Sequence, residues 1–415
     1  MKVSIISTYD VSGGAARAAH RLYKGLQAKG IALKMLVQSK VIEDYNIIGP
    51  PSNLAKSISF LRPTLDSLPL RFYRSRQPII FSPGILPDRL TKKIAEINPD
   101  IIHLHWIAGG FMRIESLMHF NKPIVWTLHD SWAFTGGCHL PFDCIRYQDS
   151  CGACPILNSH KETDFSRKIW LRKRKALKGL DITIVTPSRW LGDCAKTSSL
   201  LRNRQILTIP NGLNTTCFKP IDKATARNIL SLPKDKKLIL FGSMDITTNK
   251  LKGFHLLADA LRSFANYRWR NIAELIVIGA CEPSTPPDLG LKYTYFGHIN
   301  DEISMAILYS AVDVFVLPSI HENLPNVIME AMACGTPCVA FNIGGISDLI
   351  EHKKTGYLAQ SFDTEDMANG IAWILDKTDR WQQLSQHARS KVENEFALEK
   401  VAQRYVELYN KILAK

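Results

Sequence analysis

His321-Glu322-Asn323-Leu324-Pro325-Asn326-Val327-Ile328-Met329-Glu330-Ala331-Met332-Ala333-Cys334-Gly335 carries two carboxylates eight positions apart, on either side of an expected helix start. The apolar run Val312-Asp313-Val314-Phe315-Val316-Leu317-Pro318 before it reads as a buried parallel strand, and Pro325 suits the first helical position, where a missing N–H costs nothing. The turn between strand and helix then exposes backbone amides. Those amides and the positive end of the helix dipole favour a phosphate anion, while Glu322 and Glu330 can each accept hydrogen bonds from hydroxyl groups. A rise of about 1.5 Å per helical residue puts the two carboxylates on the order of 10 Å apart. That span suits opposite ends of a nucleoside-diphosphate sugar.

Outward from this stretch, strand-like runs alternate with helical patterns, which implies an α/β chain of parallel sheets wrapped by helices. Strands are expected at Val3–Ser7, Leu33–Val37, Ile101–His105, Ile124–Leu128, Ile182–Thr186 and Ile206–Ile209, with helices at Ala15–Lys29, Pro87–Ile97 and Phe165–Lys178. A second series has strands at Leu238–Phe241, Leu275–Ile278, Tyr293–Phe296, Val312–Leu317 and Pro337–Ala340. Its helices are expected at Phe254–Phe264, Ile303–Ser310, Asn326–Ala333 and Thr364–Asp376. Between the two series, Pro210-Asn211-Gly212 signals a turn, and the polar stretch Asn214–Lys236 around Pro220 and Pro233 reads as a linker. A chain of 415 residues exceeds one comfortable core, so two domains are expected, 1–215 and 216–395.

Several short segments fall in order along these two series: Gly13-Gly14, His103-Leu104-His105-Trp106, Leu128-His129-Asp130, Pro187-Ser188-Arg189-Trp190-Leu191, Ile209-Pro210-Asn211-Gly212-Leu213, Lys252-Gly253-Phe254, and Glu322 with Glu330. Taken together they resemble the retaining glycosyltransferases of family 4. Among them His103-Leu104-His105-Trp106, together with the cysteine-bearing segment Cys138 to Cys154, carries the resemblance to the colanic-acid-type exopolysaccharide branch. The resemblance implies a GT-B fold, two Rossmann-like domains facing each other across a cleft, with the segment 396–415 crossing back onto the first domain. It further implies that Lys252 neutralises the donor diphosphate, Glu330 binds the ribose hydroxyls, Glu322 binds the hexose hydroxyls and His129 contacts the transferred sugar. Gly13, Gly14, Asp130, Asn323, Leu324, Pro325 and Asn326 complete the donor surroundings, and Gly297, His298 and Ile299 support the base.

One position departs from the family pattern. Where Gly-Arg is common after the strand, this chain has Gly242-Ser243, so a phosphate cation is missing at Ser243. Lys250 either substitutes for it or does not, a point charge on a flexible stem being able to reach an anion from several positions; the alternative for Lys252 is a solvated loop lysine, against which its company speaks. No Asp-x-Asp pair stands where a divalent cation would be needed, so no metal and no cofactor are expected, and the diphosphate charge falls to Lys252 and helix amides. The reaction implied is transfer of a hexose from a UDP-sugar, with UDP-glucose the first expectation, to a lipid-linked or oligosaccharide acceptor in envelope or exopolysaccharide synthesis. Retention would follow from same-face attack. Glu322 could instead act as a covalent nucleophile, but its place beside the sugar hydroxyls favours positioning.

Composition narrows the alternatives. The chain is 46% hydrophobic and 22% charged, no apolar run approaches the roughly 20 residues needed to span a bilayer, and the apolar stretch before Asp10 is too short for a signal peptide. A cytoplasmic protein is expected, peripheral to the inner face of the plasma membrane if its basic surface meets lipid. The net charge of +14 points to anionic partners. Between Lys161 and Arg204 twelve Lys or Arg stand against four Asp or Glu, centred on the helical Trp170–Lys178. That helix is either a solvated face or a membrane-facing one; Leu70–Arg76 is a second candidate surface. No base-reading or RNA-binding module accompanies the charge, so nucleic acid is not the expected partner. A UDP-sugar epimerase of the same architecture is the other enzyme reading. Four of nine cysteines form Cys138-x5-Cys144-x6-Cys151-x2-Cys154, either a metal or disulfide staple or free thiols in an ordered loop, and Cys194, Cys217, Cys281, Cys334 and Cys338 read as small buried residues.

Overall fold

The computed structural model describes residues 1–242, 250–279, 287–299 and 301–414. The chain divides into two compact units, Met1–Asn211 with Glu399–Lys415, and Gly212–Leu398. In the first unit β1 (Lys2–Tyr9), α1 (Gly14–Ala28), β2 (Ala32–Ser39), β3 (Ile47–Ile48), α2 (Asn53–Ser67), α3 (Leu90–Ile97), β4 (Ile101–Leu104), β5 (Ile124–Thr127), α4 (Phe165–Leu177), β6 (Ile182–Thr186), α5 (Arg189–Thr197) and β7 (Gln205–Thr208) follow in order. The second holds α6 (Lys223–Ile229), β8 (Lys237–Gly242), α7 (Phe254–Phe264), β9 (Ala273–Ile278), β10 (Lys292–Tyr295), α8 (Glu302–Ala311), β11 (Val314–Leu317), α9 (Asn326–Ala333), β12 (Cys338–Phe341), α10 (Ile346–Leu349), β13 (Gly356–Ala359), α11 (Thr364–Asp376) and α12 (Thr378–Glu395). Helix α13 (Leu398–Leu413) returns to the first unit.

Each unit is built on one parallel sheet. The first runs β3-β2-β1-β4-β5-β6-β7 and the second β10-β9-β8-β11-β12-β13. Their central strands are buried on both faces, which explains the continuous Val, Ile and Leu runs in place of alternation. In both sheets the order reverses beside the first strand of the unit, the place where open α/β sheets take ligands at their carboxyl ends. Helix α13 belongs to the first unit because its apolar stripe, Val401, Ala402, Tyr405, Leu408, Tyr409 and Ile412, is spaced three and four apart and packs with Val3, Ile5, Met35 and Val125.

Four expectations need correction. Asn214–Lys236 is no linker: it holds α6, Phe218 is buried, and the buried Arg227 binds Asp313 at 2.7 Å and the carbonyl of Ala311 at 2.9 Å. Pro325 caps α9 from outside rather than opening it, because its ψ of 117° is extended and the first helical residue is Asn326. Cys194 and Cys217 are half-buried, whereas Cys334 and Cys338 are buried; Cys281 lies outside the described residues. Helix α4 is not a uniformly solvated basic face. Lys173 is fully buried, and Arg172 makes a bidentate pair with Glu115 at 2.7 and 2.8 Å while donating to the carbonyls of Pro83 and Gly84.

Candidate active site

The chemistry-bearing residues of the second unit gather where β11 ends. The turn Lys250–Lys252 lies against that strand end because residue 253 is glycine. Gly253 has φ +70°, and a Cβ there would sit 1.9 Å from the carbonyl oxygen of Pro318. The Ile320 amide then donates to the Leu251 carbonyl at 3.0 Å. This approach sets Lys252 Nζ 2.9 Å from Glu322 Oε1. Glu322 is held from its other side by the loop after β12: a Cβ on Gly344, at φ +52°, would lie 1.9 Å from the Glu322 carbonyl oxygen, and the Gly345 amide reaches that oxygen at 3.4 Å. Two glycines on separate loops therefore fix one carboxylate and one ammonium.

Four residues on, α9 begins without a side-chain cap, with Leu324 buried in the core beneath it and Asn323, Pro325 and Asn326 around its first turn. Glu330, one helical turn deeper, is only 3% exposed and accepts from the Tyr309 hydroxyl at 3.4 Å. Burial, and then the Glu330 charge, push the Tyr309 phenol well above its ordinary range, so it remains a donor. Lys250 is exposed on the same turn as Lys252. Gly297, at φ +66°, accepts from the Gly279 amide at 2.7 Å; His298 is exposed and Ile299 half-buried against the core. These three follow β10, three places along the sheet from β11. Ser243 lies outside the described residues.

In the first unit, Gly13 caps α1 at φ +91° with open space where a Cβ would stand, and Gly14 opens the helix. His129 follows β5 and its Nε2 lies 2.9 Å from Nδ1 of His105, which follows β4. His103 stands next in this row: its ring centroid is 4.3 Å from that of His105, its Nε2 is 2.8 Å from Thr127 Oγ1, and its Nδ1 is 2.6 Å from the Tyr409 hydroxyl on α13. Burial pulls His129 down to about 4 and His103 to about 3, and burial with the charges of its two histidine neighbours holds His105 well below its ordinary value. All three are neutral at pH 7. Burial alone would raise the Asp130 carboxyl, but the charge and hydrogen bond of His139, with bonds from the Trp132 amide and Trp106 indole, outweigh it and hold the group below its ordinary value. Asp130 is thus an orienting anion, tied to Trp106 at 2.7 Å and His139 at 2.6 Å. His103 and His105, noticed in the sequence only as part of a segment, were legible as a pair two positions apart and so on one face of a strand end; Tyr309, Gly344 and His139 gave no such signal.

The loop from Cys138 to Cys154 holds four free thiols. Burial pushes Cys151 up to about 12 and raises Cys138 and Cys154 as well, so all three are protonated. Among the described residues no three His, Cys, Asp or Glu side chains form a set able to hold a metal. Lys173 projects beneath this loop, donating to the carbonyls of Trp132 and Thr135 and lying 3.8 Å from the Trp132 ring centre. Burial lowers its ammonium to about 7.

A family model described as Glycosyltransferase Family 4 matches residues 12–216, and one described as Glycosyl transferases group 1 matches residues 235–377. N-acetyl-alpha-D-glucosaminyl L-malate synthase of Bacillus anthracis is 27% identical over 228 residues, 53% of this chain; the match spans 59% of that relative's own length. Among solved structures, sucrose-phosphate synthase from Thermosynechococcus elongatus superposes over 100% of this chain and 99% of its own, with TM-score 0.70 and 21% identity. Anabaena Alr3699/HepE in complex with UDP does so over 99% and 100%, with TM-score 0.66 and 17% identity. The chain is thus an α/β protein of the GT-B fold, made of a Glycosyltransferase Family 4 domain followed by a Glycosyl transferases group 1 domain.

Proposed function

We propose that this protein is a retaining glycosyltransferase that moves a hexose from a UDP-sugar, UDP-glucose first, to a lipid-linked or oligosaccharide acceptor in envelope or exopolysaccharide synthesis. The observation that carries this reading is the 2.9 Å Lys252–Glu322 pair beside the uncapped start of α9, with the buried Glu330 on the same helix. A donor diphosphate arriving at the helix start competes for Lys252. That competition releases Glu322 to accept from the hexose hydroxyls. Glu330 accepts from the ribose hydroxyls, and the loop Gly297-His298-Ile299 supports the base. As the sugar–phosphate bond breaks, Lys252 and the helix amides stabilise the negative charge that develops on the leaving diphosphate. Same-face attack by the acceptor hydroxyl, with its proton passing to the leaving phosphate, retains the anomeric configuration. The Anabaena protein of the same fold, solved with UDP-glucose, supports the choice of donor by analogy.

No divalent cation is assigned a role, so turnover should survive excess EDTA; loss of activity restored by magnesium or manganese would contradict this. The functional test is incubation with a panel of nucleotide sugars and detection of released nucleotide. UDP release from UDP-glucose, stimulated by an acceptor saccharide, is the expected result. An isomerised UDP-sugar formed without any acceptor would assign the site to epimerisation.

A further inference from the structure

Helix α2 turns its apolar stripe outward. Leu54, Ile58, Leu61 and Leu65 recur at spacings of four, three and four, and the 3-10 turn Leu68–Phe72 continues the row through Leu68 and Phe72. All six face solvent, at 73, 48, 53, 42, 40 and 90% exposure, with Phe60 beside them at 84%. The side toward the protein is polar. Asp66, the buried residue of the helix, accepts from the amides of Gly84 and Ile85 at 3.0 and 2.8 Å, and Arg62 donates to the carbonyls of Gly110 and Pro87 at 2.6 and 2.7 Å. Hydrogen bonds thus seat the helix, and the apolar residues that seat most surface helices are left to water.

Charge identifies what covers them. From Tyr45 to Pro87 the chain contains one acidic residue, the buried Asp66, against Lys56, Arg62, Arg71, Arg74 and Arg76. Lys56, Arg71 and Arg74 are exposed around the stripe. We propose that α2 and the turn Leu68–Phe72 form a docking surface for an anionic lipid bilayer, the helix lying in the headgroup plane with its apolar row inserted and its cations on lipid phosphates. The inference rests on the proposed lipid-linked acceptor, which it places at the membrane. A second copy of this chain fits less well. A two-fold interface would set these cations against themselves, and the 15-residue helix, with Pro63 inside it and a 3-10 turn after it, is too short and irregular for a coiled-coil seam. Nucleic acid would leave the Leu and Ile row without a partner.

The test uses the full chain with sedimentation of phosphatidylcholine vesicles, with and without phosphatidylglycerol. The parent should prefer anionic vesicles by about tenfold or more, and Phe60→Ser with Phe72→Ser, at two positions that pack against little, should lose about as much. Arg71→Gln with Arg74→Gln should abolish the anionic preference and its salt sensitivity. Arg174→Gln with Lys175→Gln, on α4, should bind like the parent. Parent that binds neither vesicle, or a serine variant that binds as the parent does, would overturn the proposal; so would a dimer that the serine variant dissociates without any vesicle binding. UDP affinity, measured on each variant, should be unchanged. Vesicle binding in a protein that takes no UDP would sink the glycosyltransfer reading and leave the lipid surface standing.

Discussion

At the scale of single residues, Lys252 and Glu322 owe their positions to glycines that touch no substrate. Gly344→Ala would drive a Cβ into the Glu322 carbonyl. It should cost roughly tenfold or more in turnover, since backbone strain of this kind is worth about 1–3 kcal/mol, with the chain still folded by circular dichroism. Turnover equal to the parent would show that Glu322 is not placed by that loop. Glu322→Gln should lower the rate of sugar transfer while leaving UDP affinity nearly intact, because the proposed partner of Glu322 is the hexose and not the nucleotide; initial rates and UDP calorimetry on the same sample separate the two. Glu322 and Glu330 were legible as a pair in the sequence because their spacing surrounds a strand-to-helix turn. Gly344 was not, because its role depends on a carbonyl 22 residues away in the chain.

At the scale of elements, α4 shows how a sequence pattern can be read on the wrong face. Its run Arg172-Lys173-Arg174-Lys175 has the charge of a membrane helix, but burial depends on what packs against each side. Lys173 points into the first unit and Arg172 clasps Glu115. Arg172→Gln should therefore reduce stability, by about 1.5–3 kcal/mol for the charged hydrogen bonds lost, with little change in vesicle binding; denaturant unfolding checks the first and sedimentation the second. The row of His103, His105 and His129 links β4, β5 and α13, and it makes stability depend on pH. Each is neutral when folded and carries an ordinary value near 6.5 when unfolded, so the unfolded chain binds more protons below that pH. Stability contributed by this row is complete above about pH 6.5 and falls as the pH drops toward 4, by up to about 1.4 kcal/mol per pH unit for each histidine. The melting temperature of a His103→Gln variant should fall less steeply than the parent's between these limits; parallel curves would contradict the assignment.

At the scale of the whole molecule, the two parallel sheets were legible because strands buried on both faces write continuous apolar runs, and α7, α9 and α11 fall where their pattern indicated, whereas α13 was expected only from the family resemblance. Helices α2 and α12 were not. Neither presents a broad apolar face to a core: α2 buries only Asp66, and α12 buries three of its 18 residues. The short strand β13, at the edge of the second sheet, carries too little pattern to be read alone. The proposed chemistry rests on one unit, the second, and on its taking a uridine nucleotide through Glu330 and Lys252. Calorimetric titration of UDP into the parent and into Glu330→Ala tests this most directly. Loss of charge-assisted bonds to two ribose hydroxyls, each worth roughly 1.5–3 kcal/mol, should weaken UDP by about a hundredfold or more, whereas equal affinity in a folded variant would make Glu330 a structural partner of Tyr309 and contradict the nucleotide-sugar site.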